Sequence, residues 1–221
     1  MPDRRHASVS SRKQPKQSRS AELVAAILQA AVQVLAEGGA GRFTTARVAE
    51  RAGVSVGSLY QYFPNKAAIL FRLQSEEWRE TTTLLRGILK EVGTPAAERL
   101  RRLVLAFIRS ECDEAVMRGA LDDAAPLYRD APEARLAKSA GDRIIEVFLA
   151  EVLPGVEEDR RRLAADLIAA TLSGVGKRFS AHPRDAAEIS DLAEAMGDMF
   201  CAYLDHLSRG AVPGCSGPAT R

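Results

Sequence analysis

The run Thr44 to Asn65 (TTARVAERAGVSVGSLYQYFPN) constrains this chain more than any other stretch. Thr44 is placed to cap a short helix in which Val48, Ala49 and Ala52 recur at helical spacing. Gly53 stops that helix, because glycine accepts the left-handed backbone a helix end requires. Val54 points inward and Ser55 is the next N-cap. A second helix over Val56 to Tyr62 buries Leu59 and Phe63, Pro64 stops it, and Asn65 caps a longer helix starting near Lys66. Two short helices joined by a tight glycine turn make a helix-turn-helix, whose second helix enters the major groove of DNA.

The outward residues suit that task. Gly57 lets the backbone approach closely, and Ser58, Tyr60, Gln61 and Tyr62 offer hydroxyl and amide groups. Lys66 adds a cation beside a helix start, where backbone N–H groups attract phosphate. A helical hairpin in an ordinary core could share the spacing. Caps, glycine, aromatics and lysine at compatible positions favour DNA.

From Ser18 to Ile69 the chain resembles the DNA-binding domain of TetR-family transcriptional regulators. The matching residues are Phe43-Thr44-Thr45, Val48-Ala49, Ala52-Gly53-Val54-Ser55, Gly57-Ser58-Leu59-Tyr60, Tyr62-Phe63 and Asn65-Lys66. The resemblance implies an all-α fold: a three-helix head with the helix-turn-helix, then a larger helical body for effector binding and dimerisation, about nine helices together. It implies a double-stranded DNA operator met by Thr44, Thr45, Arg47, Ser55, Gly57, Ser58, Tyr60, Gln61, Tyr62 and Lys66. Two positions depart from the family. An acidic residue common at position 47 would close a capping box; Arg47 cannot, and is expected to reach phosphate. An acidic residue is also common near Ala68.

A chain of 221 residues supports one or two domains with a real core. No apolar stretch reads as a membrane span, and the basic N-terminus has no apolar secretory segment. Cys112, Cys201 and Cys215 lack metal-ligand spacing and read as free thiols in a reducing cytoplasm. No cofactor or metal site is expected. The net charge of +2 hides an asymmetry: residues 1–66 carry +6 and the remainder −4. Positive charge collects where DNA is expected.

Residues 1–17 read as a flexible basic arm that follows phosphates or enters the minor groove, or as a solvated tail. Residues 18–66 read as the DNA-binding domain, 67–208 as the effector and dimer domain, and 209–221 as a flexible tail. The first helix is expected from Ser20 to Ala36, ended by Gly38-Gly39. The helix from Lys66 to about Val92 carries Ile69, Leu70, Leu73, Leu84, Leu85, Ile88 and Leu89 on one face and joins head to body. Further helices are expected over 96–117, a Pro-interrupted piece over 119–129, then from Pro132 to Pro154-Gly155, 157–180 and 185–208.

Residues 157–180 carry two apolar stripes: Leu163, Leu167, Ala170, Thr171 and Gly174 on one side, Ile168, Leu172, Val175 and Phe179 on the other. A helix apolar on two sides needs partners on two sides. With Leu192, Met196, Met199 and Tyr203 of the last helix, the first stripe is the expected homodimer interface. A deeply buried helix pair within a monomer is the plainer alternative. For an effector pocket, Phe71, Trp78, Phe107, Cys112, Met117, Tyr128 and Phe148 are candidate walls. Glu111 continues the stripe Leu100, Leu103, Val104 and Phe107, and Arg143 belongs to the stripe Leu136, Ala140, Ile144, Val147 and Phe148; the two are its candidate polar groups, or stripe edges reaching solvent, or a structural ion pair. Each apolar wall residue taken singly reads more readily as plain core.

These readings converge on a ligand-responsive regulator, a repressor by family habit. It would bind a near-palindromic operator as a homodimer and be released by a small, mainly apolar effector. An effector-independent regulator of the same fold is the alternative. An enzyme is disfavoured: His6, His182 and His206 are scattered, and no catalytic triad order or phosphate-cradling loop accompanies them.

Overall fold

The computed structural model describes residues 9, 10 and 18–210, without the side chains of 18–19 and 138–142. Most of the basic arm, the tail from 211, His6 and Cys215 lie outside the described residues. Among the described residues the fold is all-α. The helices are α1 (Ser18–Arg42), α2 (Thr45–Arg51), α3 (Val56–Tyr62), α4 (Lys66–Leu89), α5 (Ala96–Asp113), α6 (Ala115–Ala124), α7 (Pro132–Val152), α8 (Glu158–Phe179) and α9 (Ala186–Gly210), with a 3-10 turn at Ala125–Leu127.

The chain forms two compact units. One holds Met1–Thr81 and Glu114–Gly141; the other holds Thr82–Asp113 and Asp142–Arg221. Packing therefore groups α6 and the start of α7 with the helix-turn-helix. The head and body drawn at residue 66 are a functional division and return below as a proposal.

In the first unit α1 packs against α2 and α6, and α2 against α3. Ile27, Ala31, Val34 and Leu35 of α1 meet Phe43, Val48, Leu59, Phe63, Ile69 and Leu70 in one buried cluster. Each fully buried Leu, Ile or Phe contributes about 1.5–3 kcal/mol by leaving water. The first helix runs further than its glycines suggest. It kinks at Gly39, at φ 62°, and resumes to Arg42. By length and composition alone, Ser20–Arg42 could cross a membrane, contrary to the sequence reading. One side of it, Ile27, Leu28, Ala31, Val34 and Leu35, is instead buried in the unit's own core.

The expected helix over 96–117 is two helices, broken at Glu114. At the far end of α6 the chain tightens, and the Ala125 N–H turns to the Asp122 carbonyl. The Leu121 carbonyl accepts instead from the Tyr128 hydroxyl, at 3.0 Å. Burial raises the pKa of that hydroxyl, with Asp122 and Glu77 adding to the effect.

In the second unit α5 packs against α9 and α8. Leu100, Leu103, Val104, Phe107 and Ile108 share a cluster with Ile168, Leu172, Phe200 and Leu204. Glycines let the helices pack closely: a Cβ at Gly176 of α8 would stand 3.0 Å from Phe107 Cε1 and Glu111 Cγ, and one at Gly197 of α9 would stand 3.0 Å from Arg101 Cγ. Arg99 is buried within this unit. Its Nη1 donates to the Leu89 carbonyl at the end of α4, its Nη2 to Glu151 Oε1 at 2.7 Å, and it lies over the Phe148 ring. Its Nε is buried without a hydrogen-bond partner.

Arg99→Ala is therefore expected to lower stability by about 2–4 kcal/mol, through a cavity and an orphaned carbonyl. Arg99→Met fills most of the same space and leaves the exposed Glu151 to water but orphans the same carbonyl, so a smaller loss of about 1–2 kcal/mol is expected. Chemical denaturation of both variants checks this. Equal losses would show that the polar contacts of Arg99, not its packing, set its value.

Three sequence assignments change. Leu84 is exposed rather than on the apolar face of α4. On α7 the buried face is Ile144, Ile145, Phe148 and Leu149, while Leu136 and Val147 are exposed. Arg143 is exposed as well, not on an inward stripe. It lies five residues before Phe148, about 140° round the helix at 100° per residue.

Candidate nucleic-acid interface

Local hydrogen bonds build the helix-turn-helix. Thr44 Oγ1 accepts from Arg47 N at 3.3 Å, Ser55 Oγ from Ser58 N at 3.0 Å, and Asn65 Oδ1 from Ala68 N at 2.9 Å. Each satisfies a backbone donor that a helix start leaves without a partner. Gly53, at φ 67°, turns the chain between α2 and α3. Leu59 and Phe63 are buried and seat α3 on the unit's core.

The opposite face of α3 stays open. Gly57 and Gln61 are exposed, Tyr60 is 39% exposed, and Lys66 is exposed at the first position of α4. Tyr62 is half-buried and packs against the core, so its ring is partly structural. Thr45 Oγ1 and the Tyr60 hydroxyl lie 3.1 Å apart and join the first residue of α2 to the middle of α3. Ser55 and Ser58 make a second hydroxyl pair at 2.8 Å. Of the ten expected DNA-facing residues, Thr44 and Ser55 act first as caps, and Arg47 donates to the Arg42 carbonyl at 3.1 Å.

Sequence spacing did not reveal the support behind this face. Arg51 holds Glu37 of α1 with two bonds, at 2.8 and 2.7 Å, and also reaches Gln33. That guanidinium keeps the Glu37 carboxyl below the usual carboxylate range. The pair is fourteen residues apart, beyond any local helical rule.

The expected pocket residues divide between the units. Phe71, Trp78, Met117 and Tyr128 fall in the first, with the Phe71 and Tyr128 rings 5.9 Å apart. Phe107, Glu111, Cys112, Arg143 and Phe148 fall in the second. Phe107 and Phe148 are core, and Glu111 lies against Gly176. Burial, with Asp113 and Glu111 adding to it, pushes the Cys112 thiol up, which disfavours a reactive thiolate.

A polar chain crosses the first unit, from Arg118 to Glu77 at 2.8 Å and from Gln74 to Glu77 at 2.9 Å. Tyr128 completes it, with its hydroxyl 3.2 Å from Gln74 Oε1.

Of the expected interface residues, Leu167, Ala170, Gly174 and Met199 are exposed, and Thr171, Leu192 and Tyr203 are half-buried. Met196 is turned into the chain's own core, which corrects its place in that set. Leu163, on the same stripe of α8, is 65% exposed and Leu167 51%. The other stripe, Ile168 and Leu172, is buried.

Residues 27–73 match the family model of bacterial regulatory proteins of the tetR family. Residues 95–207 match that of the tetracyclin repressor-like C-terminal domain. The chain is 36% identical over 78 residues to the fatty acid metabolism regulator protein of Bacillus subtilis, covering 35% of this chain and 40% of that one. It therefore spans less than half the length of that relative. It is 27% identical over 165 residues to the HTH-type transcriptional regulator BetI of Cronobacter sakazakii, covering 69% and 76%. The solved structure of the transcriptional regulator FadR from Bacillus subtilis, in complex with stearoyl-CoA, shares the fold with a TM-score of 0.64. Identity there is 22%, over 80% of this chain and 96% of that one.

Proposed function

Because the chain belongs to the tetR family of bacterial transcriptional regulators, we propose that it represses a target gene as a homodimer on a near-palindromic operator and lets go when an effector binds. The observation that carries the DNA reading is α3: capped by Ser55, seated by Leu59 and Phe63, and open on its outer face. In this reading residues 18–66 work as the DNA-binding head and 67–208 as the effector-binding and dimer-forming body. The exposed stripe of α8 supports the dimer. Two heads about 34–36 Å apart would read successive major grooves on one side of the duplex.

The effector is proposed to be small and mainly apolar. The fatty acid regulator among the relatives makes a long-chain acyl thioester the first probe to try. An effector shifts operator affinity only as far as it binds the two states differently.

Selection of bound sequences from a random DNA pool, with the solution mass recorded, tests the core of this reading. A palindromic motif bound by a dimer supports it. A dimer that enriches no sequence would remove the operator from the proposal.

Thr45→Val and Tyr60→Phe are each expected to weaken operator binding by roughly three- to tenfold, with the double variant little worse than either. The 3.1 Å hydroxyl pair makes them one contact. Losses that add up in a double-mutant cycle would mean two separate contacts.

A further inference from the structure

Two residues of the N-terminal arm are built into the first unit. Val9 is 2% exposed and belongs to the buried cluster that holds Leu121, Ala124, Tyr128, Ala131 and Ala134. The Ser10 hydroxyl donates to Glu133 Oε1 at 2.8 Å, across 123 residues of sequence. Glu133 is the second residue of α7 and the neighbour of the buried Ala134. An apolar anchor and a polar one, on adjacent residues, thus hold the arm where α7 begins. The Glu133 carboxyl is kept below the usual carboxylate range by its own backbone N–H and then by the Ser10 hydroxyl.

The charges on the two sides are opposite. Residues 1–17 hold Arg4, Arg5, Arg12, Lys13 and Lys16 against Asp3 alone. From the last turn of α6 into the first of α7, Asp122, Asp123, Asp130 and Glu133 are exposed carboxylates, set against Arg129 and Arg135. The Arg135 guanidinium is turned to the Asp130 carbonyl. A stretch of chain that buries Val9 in the core does not at the same time lie along a phosphate backbone. The carboxylates around the seat would also repel that backbone. Docking and DNA contact at Val9 and Ser10 are therefore alternatives, and both draw on the arm's cations.

We propose that Val9 and Ser10 dock the arm in cis on the acidic corner of α6 and α7, and that this contact competes with DNA for the arm and holds DNA affinity down. This rests on the DNA-binding reading above. The contact is intramolecular, so its effective concentration does not fall when the protein is diluted. DNA affinity is lowered by the fraction of molecules whose arm is docked, and whatever loosens the seat raises it.

The test is equilibrium binding to the selected operator and to a random-sequence duplex across a salt series, with thermal midpoints recorded. Val9→Ser removes the apolar anchor without adding charge. It is expected to bind both duplexes roughly three- to tenfold more tightly, and to steepen the slope of log K against log salt by about one per bound subunit as arm cations reach phosphates. Its midpoint should fall, since a buried valine is lost, but a poorly folded variant would not gain affinity. Asp123→Asn, Asp130→Asn and Glu133→Gln together change only exposed residues, which covers the case of a Val9→Ser that does not fold. That variant should gain roughly two- to fivefold. Added to Val9→Ser, the same three changes should gain little more, because both act by releasing one arm. Gains that multiply in full would make the effect one of net charge, and a Val9→Ser that binds no more tightly would make the docking purely structural; either overturns the proposal while the wild type still binds DNA. A wild type that binds neither duplex beside a Val9→Ser that binds both is the expected result in its strongest form. If no variant binds either duplex, the DNA-binding reading itself falls, and this proposal with it.

Discussion

Leu167→Arg is expected to yield a folded monomer with operator affinity at least about a hundredfold below that of the wild type. Leu167 is half exposed on α8, on a stripe with Leu163, Ala170 and Gly174, while the opposite stripe of the same helix is buried in the chain's own core. An arginine there meets water in the single chain, so helicity and cooperative unfolding should persist. In a twofold interface the substitution counts twice, and each guanidinium is stripped of water without a designed partner. A monomer keeps one half-site's contacts and loses the other's. Solution mass together with operator titration reads both effects. A variant that stays dimeric would move the interface off this stripe, and a monomer with undiminished affinity would show that one head suffices.

Gly57→Ala is expected to move stability and binding in opposite directions. Gly57 is the second residue of α3, and it is not among the glycines of positive φ. A Cβ there would meet only Ser55 Oγ, at an ordinary 3.7 Å. The fold itself does not need glycine here. Glycine inside a helix costs about 0.5–1 kcal/mol relative to alanine, so the variant should be more stable by about that amount. If DNA approaches the α3 backbone at this point, the added methyl costs about 1–3 kcal/mol of overpacking, or roughly a ten- to hundredfold loss of operator affinity. Denaturation and titration of one preparation give both numbers. Unchanged affinity would place the DNA surface away from the start of α3.

What was legible in the sequence was what local chemistry decides. Thr44, Ser55 and Asn65 cap helices within three residues of themselves, and Gly53 turns the chain between neighbours. Such features leave their residue type at the position that needs it. The break at Glu114 left no such mark, because its side chain makes no capping bond. The ion pairs of Arg51 with Glu37, Arg99 with Glu151 and Arg118 with Glu77 join distant segments, and no helical period announces them. The α7 stripe failed for a different reason. Apolar residues lie on both its buried and its exposed sides, so periodicity alone could not choose between them, and Arg143 was assigned to the wrong one. The expected pocket residues come from segments far apart in the chain, so no local period links them.

The interleaving of the two units bears on how the protein is made. α1 packs against α6, so the unit that carries the recognition helix is complete only once residues 114–141 exist. By then a ribosome has already delivered 82–113, whose own partners begin at 142. Neither unit can finish while the first half of the chain stands alone. A nascent chain stalled near residue 90 would hold a helix-turn-helix with every capping residue in place but with the α6-facing side of α1 uncovered. Such a fragment would expose the apolar side of α1 to chaperones and proteases, so a chain ended there is expected not to persist as a shortened DNA-binding protein.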